Sequence, residues 1–195
     1  MTKKVILITG TPCTGKTTIA KKLTTKLKAD YVNLTQLATT ENLTLGKDKK
    51  RNTIIINEKR MKRRITQIIK TSASSNVVID GHYAANIVPD KLATHVFVLR
   101  RNPTELKKLM QKKRYADTKL WENLAAEILD VSLIDALNAY DSEKVCELDI
   151  TEKTLHQNVT TIMNVLNGKE KYYTGIVDWI GKLEAEGILQ DYLKI

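Results

Sequence analysis

One octapeptide constrains this 195-residue chain more than any other feature: Gly10-Thr11-Pro12-Cys13-Thr14-Gly15-Lys16-Thr17. It lies between the apolar run Val5-Ile6-Leu7-Ile8-Thr9 and a stretch with Ile19, Leu23 and Leu27 spaced four apart. The pattern G-x-x-x-x-G-K-[ST] between a strand and a helix is a phosphate-binding loop. Its glycines let the backbone wrap, so that successive N–H groups converge on phosphate oxygens with the helix dipole behind them. Gly10, Cys13, Thr14 and Gly15 then supply the backbone of a cradle for ATP. Lys16 is placed for the β- and γ-phosphates, Thr17 for Mg²⁺ and Thr18 for the α-phosphate.

Around the loop, four more β-rich runs recur, at 31–34, 76–80, 95–99 and 145–148. Several are continuously apolar, as strands buried on both faces of a parallel sheet are. Helical patterns separate them. One starts at Asn57, one at Pro103-Thr104-Glu105, and one runs from Lys119 to about Tyr140 on a stripe of Leu120, Leu124, Ile128, Val131 and Ile134. Another covers 151–167 and stops at Asn167-Gly168. The expected fold is therefore α/β: a P-loop domain with a five-stranded parallel sheet and helices on both faces, one domain over 1–195. Residues 35–57 offer no long element, and 113–119 form a polar break. Beyond Gly168, Ile176, Trp179, Ile180 and Leu183 outline a small amphipathic helix.

Charge is divided unevenly. Residues 1–114 hold 25 Lys and Arg against 7 Asp and Glu, whereas 115–195 hold 7 against 15. Two basic segments stand out, 47–64 and 100–114, a distribution suited to polyphosphate and able to steer RNA. No apolar stretch reaches the roughly 18 residues of a membrane span, and no partner membrane is expected. Cleavage of a signal peptide would destroy the phosphate loop. Cys13 and Cys146 make no disulfide framework, so a cytoplasmic protein is expected.

Other chemistry-bearing residues cluster at strand ends. Asp80 closes the run Val77-Val78-Ile79, where P-loop enzymes hold Mg²⁺, usually through water. His82, two residues on, is placed to orient an attacking water or a phosphate oxygen. Arg100 ends the fourth strand, on the edge where ligands bind, and is expected at ATP. Arg114 precedes the polar break and can swing over the triphosphate as part of a lid. For Arg51, Arg60, Arg63 and Arg64 the sequence does not separate a functional role from a solvated one.

Together, Gly10 to Thr18, Asp80-Gly81-His82, His95 to Arg100, Arg114-Tyr115 and Glu122 to Ile128 resemble the adenylate kinase isoenzyme 6 family and its archaeal counterparts. The resemblance runs to about residue 165. It implies a nucleoside-monophosphate-kinase fold with an NMP-binding excursion at about 33–59 and a short lid at about 112–122. It implies ATP + AMP ⇌ 2 ADP with Mg²⁺, together with ATPase activity. It also implies a role in small-ribosomal-subunit maturation, with a small-subunit ribosomal protein and pre-ribosomal RNA as partners.

Carried over, Lys16, Asp80, His82 and Arg114 are the catalytic set. Thr17 and Asp80 serve the metal, and Asn33 and Arg51 contact the acceptor nucleotide. Three departures follow, the first in the ATP loop and the other two bearing on that acceptor. Cys13 stands where the family usually has Gly, Thr39 where it has Arg, and Ala84-Ala85 where ordinary adenylate kinases place an Arg. An assembly ATPase with little AMP phosphorylation is the alternative, and a small-molecule kinase of the same fold is a third reading.

Overall fold

The computed structural model describes residues 3–48, 53–171 and 173–193. Five parallel strands form its sheet: β1 (Lys4–Gly10), β2 (Asp30–Asn33), β5 (Asn76–Asp80), β6 (His95–Arg100) and β7 (Val145–Asp149). Their order is β2-β5-β1-β6-β7. The chain leaves β1 for one half of the sheet and later returns to the other half. Such a switch point is where open α/β sheets bind ligands, outside the carboxyl ends of the strands.

The five apolar runs expected from the sequence are these strands. Ile6, Leu7, Ile8, Val77, Val78, Ile79 and Val96 to Leu99 have essentially no exposed surface. Burial on both faces is what a continuous apolar run requires. Helices α1 (Lys16–Leu27) and α8 (Leu155–Leu166) cover one face through Ile19, Leu23, Val159 and Ile162. The other face carries α2 (Leu34–Thr40), α3 (Glu58–Thr71), α4 (Ala84–Ile87) and α7 (Val131–Ala139), packed through Met61, Ile65, Ile87 and Ala136.

The starts and stops follow local chemistry. Asn57 caps α3, its Oδ1 accepting from Arg60 N at 3.1 Å. Asn102 caps α5 (Pro103–Lys112), which has Pro at its first position. Thr154 and Gln157 form a reciprocal capping box on α8. That helix ends before Gly168, which adopts a left-handed φ of 70°.

Two expectations are corrected. The single helix from 119 to 140 is two helices, α6 (Asp117–Ile128) and α7, separated at Asp130. Asp130 adopts φ 57° and accepts a hydrogen bond from Arg100 Nη2. The break resets the helical phase, so Leu133 and Ala136 face inward while Val131 and Ile134 are exposed. The stretch 35–57 is also richer than expected. It holds α2 and an antiparallel hairpin, β3 (Thr44–Asp48) with β4 (Thr53–Ile56).

A third cluster lies beyond the sheet. Leu106 and Met110 of α5 and Leu120, Leu124 and Ile128 of α6 pack with Trp179, Leu183 and Tyr192 of the tail helices α9 (Trp179–Ala185) and α10 (Leu189–Tyr192). Lys107 Nζ sits 4.7 Å from the ring centre of Trp121 and 4.6 Å from that of Tyr192, joining α5, α6 and the tail by cation–π contacts.

Candidate active site

The phosphate loop leaves β1 through Gly10, whose φ is 132°. A Cβ there would lie 2.4 Å from Leu99 O, so only glycine fits between β1 and β6. Gly15, at φ 92°, is the N-cap of α1, and no side chain caps that helix. Its first N–H groups are thus left to a ligand, the arrangement that binds anions. Thr14 Oγ1 donates to Thr11 O at 2.9 Å, and Lys16 Nζ donates to the same oxygen at 2.8 Å. The lysine thereby lies folded along the loop, across the space a triphosphate takes.

Cys13 adopts φ 70°, a conformation that costs a residue with a side chain roughly 1 kcal/mol. Its thiol packs into the α5–α6–tail cluster. There it meets Tyr115, whose hydroxyl pKa rises to about 12 through burial and the Cys13 contact. Cys13 thus sits in the wrapped loop and ties it to Tyr115, between α5 and α6.

Burial lowers the Lys16 pKa to about 8, against the opposing pull of Asp80. Below pH 8 the free protein presents an ammonium. Above it the charge is lost, and ATP must bring a proton with it to regain the ion pair. ATP affinity is therefore expected to be flat from pH 6 to 8. It should then fall by up to about tenfold per pH unit toward the ordinary lysine value. Calorimetric titration in buffers of different ionisation enthalpy checks the accompanying proton uptake.

Asp80 ends β5 and is almost wholly buried. Its Oδ2 accepts from Thr17 Oγ1 at 2.6 Å, and its Oδ1 accepts from Tyr31 Oη and Asn33 Nδ2, both at 2.8 Å. A hydroxyl and a carboxylate thus meet under the phosphate cradle. That donor set fits Mg²⁺, which takes one or two protein oxygens and completes its shell with water and substrate phosphates. Thr17 and Asp80 would hold the ion, which supplies neutralisation of charge on the β- and γ-oxygens. Tyr31 was not legible as a site residue. It is found only through the pairing of β2 with β5, which sets Asn33 beside Asp80.

The His82 side chain is exposed. Crowding by surrounding protein, then the charges of Lys16 and Lys119, lower its pKa to about 4. The ring is therefore neutral near pH 7 and able to orient water or accept its proton. Thr18 is exposed on the first turn of α1.

Arg114 closes α5 with φ 56° and an exposed side chain, its N donating to Gln111 O as the chain turns toward α6. Arg51 lies outside the described residues.

Two expected ligands have other work. Arg100 does not face ATP. Only 1% of its surface is exposed, and its guanidinium donates to Glu127 Oε1 at 3.0 Å, Glu147 Oε1 at 2.5 Å, Glu127 O at 2.8 Å and Asp130. Burial works to lower its pKa, but Glu127 and Asp130 outweigh it and raise the value. Asn33 spends both ends of its amide internally. Nδ2 goes to Asp80, and Oδ1 caps α2 by accepting from Gln36 N at 2.8 Å. It positions the carboxylate instead of meeting an acceptor.

Beside the loop opens a pocket of about 550 Å³. Pro12, Thr39, His82, Tyr83, Tyr115 and Asn123 line it, with Ile54 and Ile56 of the hairpin and Lys119 of α6. Asn123 Nδ2 is buried there without a hydrogen-bond partner among the described residues. Sequence reasoning assigned no site role to Tyr83, Lys119 or Asn123, although Asn123 lies in the Glu122 to Ile128 stretch that carries the resemblance; only the fold brings α2, the hairpin and α6 around one space.

Residues 6–130 match the AAA domain family. A protein of Pyrococcus furiosus named "Putative adenylate kinase" is 37% identical over 90% of this chain and 91% of its own length. One of the same name from Saccharolobus islandicus is 34% identical over 98% of this chain and 95% of its own. The chain belongs to the adenylate kinase-like family of P-loop proteins. Solved structures agree on the fold. Shikimate kinase from Bacteroides thetaiotaomicron gives a TM-score of 0.59 at 15% identity, covering 84% of this chain and 98% of its own. Thymidylate kinase from Candida albicans gives 0.55 at 14%, covering 86% and 92%. This is a nucleotide kinase-like enzyme, and no helix among its described residues is long and apolar enough to cross a membrane.

Proposed function

We propose that the protein transfers the γ-phosphoryl group of ATP to AMP, giving two ADP, and hydrolyses ATP when water takes the acceptor's place. The observation that carries this is the pocket beside the loop. Tyr83 and Tyr115 offer aromatic faces, and Asn123 Nδ2 offers an unused donor, the groups a purine base needs. His82 shares that wall. An acceptor or a water held there would lie between the pocket and the phosphates cradled by Lys16. Lys16 and Mg²⁺ at Thr17 and Asp80 neutralise the moving charge. The hairpin and α2 are the acceptor-binding excursion. The turn from Arg114 into α6 is the lid, with Arg114 as its mobile cation.

A second reading weights hydrolysis over AMP phosphorylation, and a specific residue favours it. Thr39 lines the acceptor pocket where the resembled family has Arg, and its hydroxyl donates back to Gln36 O at 2.9 Å. Its side chain brings no positive charge to an acceptor phosphate. In this reading the protein is a cytoplasmic assembly ATPase of small-ribosomal-subunit maturation, with a ribosomal protein and pre-ribosomal RNA as partners.

The experiment supplies Mg²⁺-ATP with each nucleoside monophosphate, or with water alone, with and without a small-subunit ribosomal protein. AMP-dependent ADP formation supports the kinase; hydrolysis stimulated by the partner supports the switch. His82→Ala is expected to lower hydrolysis by about 10²-fold while ATP affinity changes less than threefold. Equal losses in both would make His82 structural.

A further inference from the structure

Away from the phosphate loop, a trough of about 820 Å³ runs along α3. Leu43 floors it, and Arg60, Lys62, Arg63, Arg64 and Lys70 wall it. The helix buries Met61, Ile65 and Ile69 against the sheet, which forces its basic residues outward. It shares no lining residue with the acceptor pocket.

Two of these cations are fixed. Arg64 Nε donates to both oxygens of Glu41 at 2.9 and 2.7 Å, and its Nη1 donates to Gln67 Oε1 at 3.2 Å. Arg60 Nη1 donates to Asn42 O at 3.2 Å. The turn between α2 and β3 thus holds two guanidinium planes at the trough's edge, and none of these bonds engages Nη2. Lys62, Arg63 and Lys70 are exposed. Opposing charge is slight: Glu58 is 3.9 Å from Lys62, and Glu41 is already paired with Arg64.

We propose that this trough binds the sugar–phosphate backbone of RNA without reading its sequence. Arginine forks match phosphate geometry, and preorganisation spares their ordering cost. Lys62 to Lys70 spans about 12 Å of helix, on the order of three nucleotide steps. No aromatic ring among the described residues lines the trough, so bases have nothing there to stack on and the contacts go to the backbone. Thr66 and Gln67 stand among the cations with groups able to meet ribose 2′-hydroxyls. A membrane surface fits less well, because Leu43, the apolar residue lining the trough, is buried at its floor. The inference rests on the ribosomal part of the proposed function and is independent of phosphotransfer.

Fluorescence anisotropy of a labelled single-stranded RNA oligonucleotide with the full chain tests it. The triple variant Lys62→Gln, Arg63→Gln, Lys70→Gln is expected to bind at least about tenfold more weakly at moderate salt. Its slope of log affinity against log salt should be smaller by about 2, from roughly 0.7 per lost phosphate contact. Its melting temperature and Mg²⁺-ATP affinity should match the wild type. A control removing three exposed lysines of α1, Lys21→Gln, Lys22→Gln and Lys26→Gln, should change RNA affinity less than threefold. Unchanged RNA affinity in the α3 variant, an equal loss in the α1 control, or equally tight binding of DNA overturns the proposal. Binding to phosphatidylserine vesicles in place of RNA does so as well. AMP kinase assays on the same α3 variant separate this outcome from failure of the phosphotransfer reading.

Discussion

Replacing Lys16 by alanine is expected to lower phosphotransfer and ATP hydrolysis together by at least about 10²–10³-fold. The ammonium is the positive side chain inside the loop, held over Thr11 O where the β- and γ-phosphates arrive. The same change should not destabilise the nucleotide-free protein. Burial lowers the Lys16 pKa toward 8, which means that the folded state holds the charged form less readily than the unfolded chain does. Removing the side chain relieves that cost. A thermal melt without nucleotide is therefore expected at or above the wild-type temperature, while the upward shift on adding Mg²⁺-ATP disappears. Wild-type turnover in the variant would remove the loop from the mechanism. A lower apo melting temperature would show that Lys16 supports the fold.

The largest loss of stability is expected at Arg100. Arg100→Met leaves Glu127 and Glu147 buried without their shared counter-charge, a loss of about 3–5 kcal/mol. At this chain length that lowers the melting temperature on the order of 10 °C. The damage should spread, because both carboxylates are also anchors for the tail. Glu127 Oε1 accepts from Trp179 Nε1 at 3.1 Å, and Glu147 Oε2 accepts from Ile176 N at 2.9 Å. Limited proteolysis should accordingly cut the variant between 170 and 193 first. ATP affinity measured below the melting transition should stay within a few-fold of wild type. A large loss of affinity with no change in melting would restore Arg100 to the nucleotide site.

Arg100 also shows where sequence reading stops. Its position at the carboxyl end of a strand is real, but the direction of its side chain is set by Glu127, Asp130 and Glu147, 27 to 47 residues away. No local pattern announces such a cluster. The five strands were legible because burial on both faces demands unbroken apolar runs. The loop was legible because its backbone demands glycine at Gly10 and Gly15. The hairpin was not, since Thr44–Asp48 and Thr53–Ile56 cover no sheet face and Leu45, Ile54 and Ile55 remain exposed. The helix break at Asp130 was hidden for the same reason as Arg100: an aspartate in left-handed conformation is held there by a partner at the end of β6. Asp80 and His82 could be proposed from a strand end and a spacing. Tyr31 and Asn123 needed the pairing of β2 with β5 and the approach of α6.

The two tryptophans of the chain, Trp121 and Trp179, both belong to the cluster that joins α5, α6 and the tail. Intrinsic emission from this protein consequently has a single address. Excited above the tyrosine absorption band, the fluorescence reports on α5, α6 and the tail, and reaches the sheet only where Trp179 shares Glu127 with Arg100. Any movement of those helices on adding nucleotide could then be followed in real time on the unlabelled protein.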